Sequence, residues 1–207
     1  MCGVVGVVLP NRGHEAAAVA ATALFALQHR GQESAGVGVS DGTHLSCASG
    51  PSIVAAMLDA LDVPPGIRIL EIGAGTGYNA ALLATLTGPD GEVTTIDINA
   101  DVTAAGGTSL DGTGYRHVRV ITRDGAQGAP EHAVFDRIIV TVGAWDLPQR
   151  WWDQLALGGR LVGPLRWRGT TRAVAFVKQT DRWASDWVFL CGFVPMLGQP
   201  GELNGTI

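Results

Sequence analysis

Long apolar runs are missing. None approaches the roughly 18 residues that a helix needs to cross a bilayer, so no transmembrane helix is expected. The first residues, Met1-Cys2-Gly3-Val4-Val5-Gly6, have no basic stretch ahead of the apolar one and do not read as a secretory signal. Basic clusters are missing as well. In 207 residues, 14 Lys and Arg stand against 19 Asp and Glu, a net charge of −5. That balance excludes a nucleic-acid binder held by backbone phosphates, and adhesion to an anionic membrane. Cysteines are few: Cys2, Cys47 and Cys191 lie far apart, odd in number and without a C-x-x-C. This excludes a disulfide framework and a zinc site, and fits a reducing cytoplasm. The five histidines, His14, His29, His44, His117 and His132, show no ligand spacing, so no metal is expected.

What is present suffices for one domain of ordinary size plus a small appendage. Glycine (29) and proline (10) are abundant, but they follow no period and form no low-complexity tract. The rhythm changes near residue 50. Before it, an apolar run over 3–9 reads as a strand, an Ala-rich stretch over 14–29 as a helix, and 31–39 as a second strand ending at Asp41-Gly42. In the helix, Ala20, Ala23, Leu24 and Leu27 share one face. After residue 50, strands and helices alternate. Pro51 suits the first position of a helix that runs through Met57 to Leu61. Seven strands are expected, over 67–72, 92–98, 118–122, 135–142, 160–164, 172–178 and 187–194. A helix is expected over 78–86, stopped by Gly88-Pro89, and a short one after Pro148. Strands that are apolar on both faces, alternating with helices, imply a parallel sheet covered on both sides. The helix between the second and third of these strands carries Gly106-Gly107. Two adjacent glycines cost about 2 kcal/mol there, so it is expected to be short, frayed or absent.

The sharpest signal is Leu70-Glu71-Ile72-Gly73-Ala74-Gly75-Thr76-Gly77-Tyr78. A glycine-rich turn between strand and helix lets a ligand approach the backbone closely. The spacing is G-x-G-x-G rather than G-x-G-x-x-G, and no G-K-S/T follows, which disfavours the dinucleotide fingerprint and the P-loop. Asp97 ends the next strand, where a carboxylate can accept hydrogen bonds from both hydroxyls of a ribose. Asp124-Gly125 follows the third strand, where a side chain can meet an adenine edge. Loop and acid together in one βαβ unit point to a nucleoside ligand.

Residues 49–199 resemble a class I S-adenosylmethionine-dependent methyltransferase, and more narrowly the protein-L-isoaspartate O-methyltransferase family and its actinobacterial relatives in peptide maturation clusters. The matching pieces are Ser49-Gly50-Pro51-Ser52 ahead of Met57-Leu58, the glycine loop through Asn79, Ile96-Asp97, Arg123-Asp124-Gly125, Phe135-Asp136-Arg137-Ile138-Ile139-Val140-Thr141, Gly158-Gly159-Arg160-Leu161-Val162 and Cys191-Gly192-Phe193-Val194-Pro195. The resemblance implies S-adenosyl-L-methionine as cofactor. Glu71, Gly73, Gly75 and Tyr78 would line its methionine part, Asp97 would hold its ribose, and Asp124 with Gly125 its adenine. It also implies an acceptor carboxylate on an Asp or isoaspartate of a protein or peptide, oriented by Ser49. Read on its own, Ser49 also suits the N-cap of the following helix.

Met1-Cys2-Gly3 and Leu27-Gln28-His29-Arg30-Gly31-Gln32-Glu33-Ser34-Ala35-Gly36 resemble the start of the glutamine amidotransferase domain of amidophosphoribosyltransferase. That resemblance implies Cys2 as an N-terminal nucleophile whose α-amino group serves as base. The expectation is therefore an α/β chain in three parts. Residues 1–48 form a partial amidotransferase-like βαβ fragment, 49–199 a methyltransferase domain with a Rossmann-like seven-stranded mixed sheet flanked by helices, and 200–207 a tail. The alternatives are a remnant glutamine amidotransferase using Cys2, and a non-catalytic cofactor-binding protein.

Overall fold

The computed structural model describes residues 34–40, 45–51, 53–167, 170–193 and 195–198, the first two segments as backbone only. Cys2, the expected strand over 3–9, the helix over 14–29 and the tail over 200–207 lie outside the described residues. Two strands, β1 (Ser34–Ser40) and β2 (Leu45–Pro51), form an antiparallel pair with Gly36 opposite Ser49. Pro51 ends β2, and the next helix, α1, spans Ile53–Leu61. Ser49 thus lies within a strand, four residues ahead of the helix, and does not occupy its capping position.

The main sheet follows: β3 (Arg68–Ile72), α2 (Tyr78–Thr87), β4 (Glu92–Asp97), α3 (Ala100–Gly112), β5 (Arg119–Thr122), β6 (Phe135–Val140), α4 (Gln149–Gln154), β7 (Leu155–Trp167), β8 (Thr170–Lys178) and β9 (Trp183–Leu190). Its order is β5-β4-β3-β6-β7-β8-β9. The strands from β5 to β7 are parallel, and β8 and β9 continue antiparallel. The sheet is therefore seven-stranded and mixed. Because strand side chains alternate between faces, two cores form. Ile69, Val93, Ile139 and Val162 meet Met57 and Leu61 of α1 and Leu83 of α2 on one face. Leu70, Ile72, Ile96, Ile138 and Leu161 meet Phe135, Trp151 and Met196 on the other. Among the described residues, no helix is long and apolar enough to cross a membrane.

Helix α1 has no basic residue in its last turn. Its carbonyls are met from the sheet instead. Arg137 Nε of β6 donates to Leu61 O and Asp62 O, both at 2.8 Å, and Arg160 Nε of β7 donates to Ala60 O at 3.0 Å. Cations at a helix C-terminus complement its dipole, and these two fix α1 to the sheet.

Further expectations need correction, among them the last strand, which spans Trp183–Leu190 rather than 187–194. Helix α3 is complete, 13 residues long and capped by Asn99, whose side chain accepts from Asp101 N at 2.9 Å. Gly106 is buried, and a Cβ there would lie 3.2 Å from Gly75 O. The glycine that weakens the helix is what lets it lie against the loop. Strand β7 starts at Leu155 rather than near 160, because a register irregularity opposite Phe135 and Arg137 takes up Gly158 and Gly159 within the strand.

Candidate nucleoside site at the strand ends

Parallel strands end at one edge of the sheet, so the loops that follow β3, β4 and β5 gather there. The order of strands reverses between β3 and β6, the position at which open α/β sheets bind ligands. The loop after β3 turns on Gly73, Gly75 and Gly77, with φ of 104°, 51° and 82°. All three are in the left-handed region that glycine enters without steric cost. Gly73 and Gly77 are held from behind. A Cβ on Gly73 would stand 2.6 Å from Thr141 Oγ1, and one on Gly77 3.0 Å from Gly106 O. Gly75 is different: it is exposed, and a Cβ there would meet nothing within 4 Å. Thr76 and Tyr78 are exposed beside it.

The loop is tied to its neighbours. Gly73 N and Ala74 N both donate to Ile96 O, at 2.8 and 3.1 Å. Thr141 N donates to Ile72 O at 2.8 Å, and Thr141 Oγ1 to Gly73 O at 2.7 Å. Since Ile96 precedes Asp97, loop and acid have a fixed relation. Asp97 Oδ1 accepts Asn99 N–H at 3.0 Å, which leaves the second oxygen without a partner among the described residues. One strand over, Arg123 N donates to Asp97 O at 2.9 Å, and Asp124 follows. Asp124 Oδ1 accepts Ala126 N–H at 2.9 Å, starting a short turn over Gly125–Gln127. Gly125 is buried, a Cβ there would collide with Ile72, and its carbonyl accepts Trp151 Nε1–H at 2.9 Å.

Glu71 lies behind this surface. It is completely buried. Oε2 accepts the Thr95 hydroxyl at 2.6 Å and Oε1 accepts Asn79 Nδ2–H at 2.7 Å. Burial pushes its carboxyl up to about 7, against the two hydrogen bonds, with Asp97 adding to the rise. Asn79 Oδ1 is buried and has no hydrogen-bond partner among the described residues. A buried acceptor left unpaired costs about 1–3 kcal/mol.

Of the residues singled out in the sequence, Glu71, Gly73, Gly75, Tyr78, Asp97, Asp124 and Gly125 thus stand on one edge, Glu71 and Gly125 buried beneath it and the others partly or fully exposed. Ser49 is placed only as backbone in β2, and Cys2 is outside the described residues. Sequence reading gave no role to Asn79, Thr95 or Thr141, which supply hydrogen bonds around the loops. Two adjacent threonines, Thr94 and Thr95, in the middle of a strand buried on both faces were the available signal.

The arrangement matches known proteins. The family profile of Protein-L-isoaspartate(D-aspartate) O-methyltransferase covers residues 28–201, beginning inside the segment 1–48 that was expected to be a separate fragment. A protein-L-isoaspartate O-methyltransferase of Methanopyrus kandleri is 39% identical over 160 residues, 74% of this chain and 69% of that protein. One from Koribacter versatilis is 39% identical over 153 residues, 74% of this chain and 68% of that protein. A solved protein-L-isoaspartate O-methyltransferase superposes with a TM-score of 0.70 at 30% identity, over 80% of this chain and 53% of that one. A Plasmodium falciparum protein described as the same enzyme, solved with S-adenosyl-L-homocysteine, superposes with a TM-score of 0.61 over 78% of this chain and 79% of that one. At 22% identity, that second likeness is one of fold.

Proposed function

The chain belongs to the protein-L-isoaspartate O-methyltransferase family of S-adenosyl-L-methionine-dependent enzymes, and from that premise we propose that it methylates a carboxylate on an aspartyl or isoaspartyl residue of a protein or peptide. The residues fit the cofactor. Gly75 faces open space where a side chain would intrude, and Asp97 keeps one carboxylate oxygen unengaged at the neighbouring strand end. Gly73, Gly75 and Tyr78 border the methionine half in this reading, with Glu71 acting from beneath the loop. Asp97 accepts from the ribose hydroxyls, and Asp124 with Gly125 flanks the adenine.

When bound, the cofactor supplies an electrophilic methyl group on a sulfonium. The chain's own part is positioning. A carboxylate with a pKa near 4 is already ionised at neutral pH, so the acceptor needs no general base. It needs in-line alignment with the methyl group. The Ser49 hydroxyl, donating one hydrogen bond to the acceptor carboxylate, is the orienting group in this reading.

The observation that carries the proposal is the coupling of glycine loop and Asp97 through the shared Ile96 carbonyl. Its test is calorimetric titration with S-adenosylhomocysteine. Asp97→Ala leaves ribose hydroxyls unpaired and is expected to cost about 1–3 kcal/mol, roughly 10- to 150-fold in affinity. Unchanged affinity would remove Asp97 from the site and the nucleoside assignment with it.

A further inference from the structure

Asn79 is the second residue of α2 and stands between the glycine loop and the sheet. Glu71 Oε1 accepts Asn79 Nδ2–H at 2.7 Å, so the Asn79 amide turns its NH2 inward. Its carbonyl oxygen is then directed elsewhere, buried and without a donor. Thr95, held on the other oxygen of Glu71, fixes the carboxylate in turn. Three side chains from β3, β4 and α2 thus hold one acceptor beside the loop, with nothing among the described residues to satisfy it. Buried acceptors in native proteins are nearly always paired, and an unpaired one at a ligand site calls for a donor from the ligand.

Resting on the methyltransferase reading above, we propose that Asn79 is a further cofactor contact, whose Oδ1 accepts a hydrogen bond from the α-ammonium at the amino-acid end of the cofactor. The other donor groups of the cofactor belong elsewhere: the ribose hydroxyls go to Asp97 and the adenine amine toward Asp124, one and two strands along the edge from β3. The start of α2 suits an amino acid in a second way. Its N-cap is Gly77, with no side-chain cap, so its first backbone N–H groups remain available to a carboxylate. The oxygen is closed off by the protein, so contact requires the loop to yield. The loop ahead of α2 passes through Gly75, which is exposed.

The test compares two ligands by calorimetry, S-adenosylhomocysteine and its analogue lacking only the α-amino group, on the wild-type protein, Asn79→Ala and Asn79→Ser. The wild-type protein should bind the deaminated analogue about tenfold more weakly. Asn79→Ala should lose about tenfold for S-adenosylhomocysteine and less than twofold for the analogue. Equal losses for both ligands would mean that the substitution only loosens the loop, and would overturn the proposal, as would no loss at all. Asn79→Ser serves if the alanine variant does not fold. The wild-type pair of titrations decides independently, because equal affinities leave no ammonium contact to assign. Failure of the wild-type protein to bind either nucleoside is a different outcome: it sinks the methyltransferase reading, and the proposal falls with it.

Discussion

The parallel strands β3, β4 and β6 and the antiparallel strands β8 and β9 belong to one sheet but follow different rules. The first group is closed over by helices on both faces, and most of its residues are buried. Strand β9, the last of the sheet among the described residues, leaves Val188, Phe189 and Leu190 about half exposed. There, Trp187 and Phe189 stack on each other, with ring centroids 6.0 Å apart. The difference reaches the site. Parallel strands deliver every following loop to the same edge, so glycine loop, Asp97 and Asp124 converge. Antiparallel neighbours end at opposite edges and cannot gather three loops in this way. The deeper burial and the candidate site therefore lie in the parallel half, and the antiparallel half extends the sheet.

The strongest way to break this contrast is to truncate one phenylalanine in each half. Phe135→Ala empties a fully buried position in β6 and is expected to cost about 3–5 kcal/mol in denaturant unfolding. Phe189→Ala removes a ring that is 48% exposed and is expected to cost under about 1 kcal/mol. Comparable losses would mean that β9 is covered as thoroughly as β6.

Glu71 sharpens the contrast from within the parallel half. Its folded pKa is raised, so the native state holds the proton more tightly than the unfolded chain. Stability is then greatest below 4.5, falls as pH rises toward 7, and levels off above it. Glu71→Gln removes that dependence. Its advantage over the wild-type protein should grow between these limits to on the order of 3 kcal/mol, read from melting curves across pH. A difference that stays flat across that interval would show that Glu71 is not held in a desolvated site.

The smallest effect concerns the adjacent glycines of α3. A Cβ on Gly107 meets nothing, so Gly107→Ala should stabilise by about 0.5–1 kcal/mol. A Cβ on Gly106 would press on Gly75 O at 3.2 Å, so Gly106→Ala should forfeit that gain and weaken S-adenosylhomocysteine binding. Identical melting shifts for the two variants would deny α3 its part in shaping the loop.

Much of the parallel half was legible in the sequence. Glycines at 73, 75 and 77 are readable because left-handed backbone demands them, and Asp97 and Asp124 because strand and loop alternate regularly around them. What escaped depends on packing. The helix penalty of Gly106 is local, whereas its compensation is a neighbouring loop distant in sequence. Strand β2, Leu-Ser-Cys-Ala-Ser-Gly-Pro, has little of the β-branched or aromatic content that marks strands, so only its pairing with β1 reveals it. Glu71 was recognisable as a member of the glycine motif, but its complete burial comes from Thr95 and Asn79 closing over it. An amide one position beyond Tyr78 says nothing of the bond it makes until β3 and α2 are side by side.

The Thr141 clasp has a consequence for the order in which the chain is made. The loop it secures at Gly73 lies 68 residues earlier in the sequence. During synthesis the glycine turn therefore leaves the ribosome well before the residue that braces its rear, with α2, β4, α3 and β5 emerging in between. A nascent chain that stops short of β6 carries every glycine of the loop but not the hydroxyl and amide that hold it against the sheet. The candidate nucleoside site thus needs β6 beside β3, and a truncated product has the motif without the cradle.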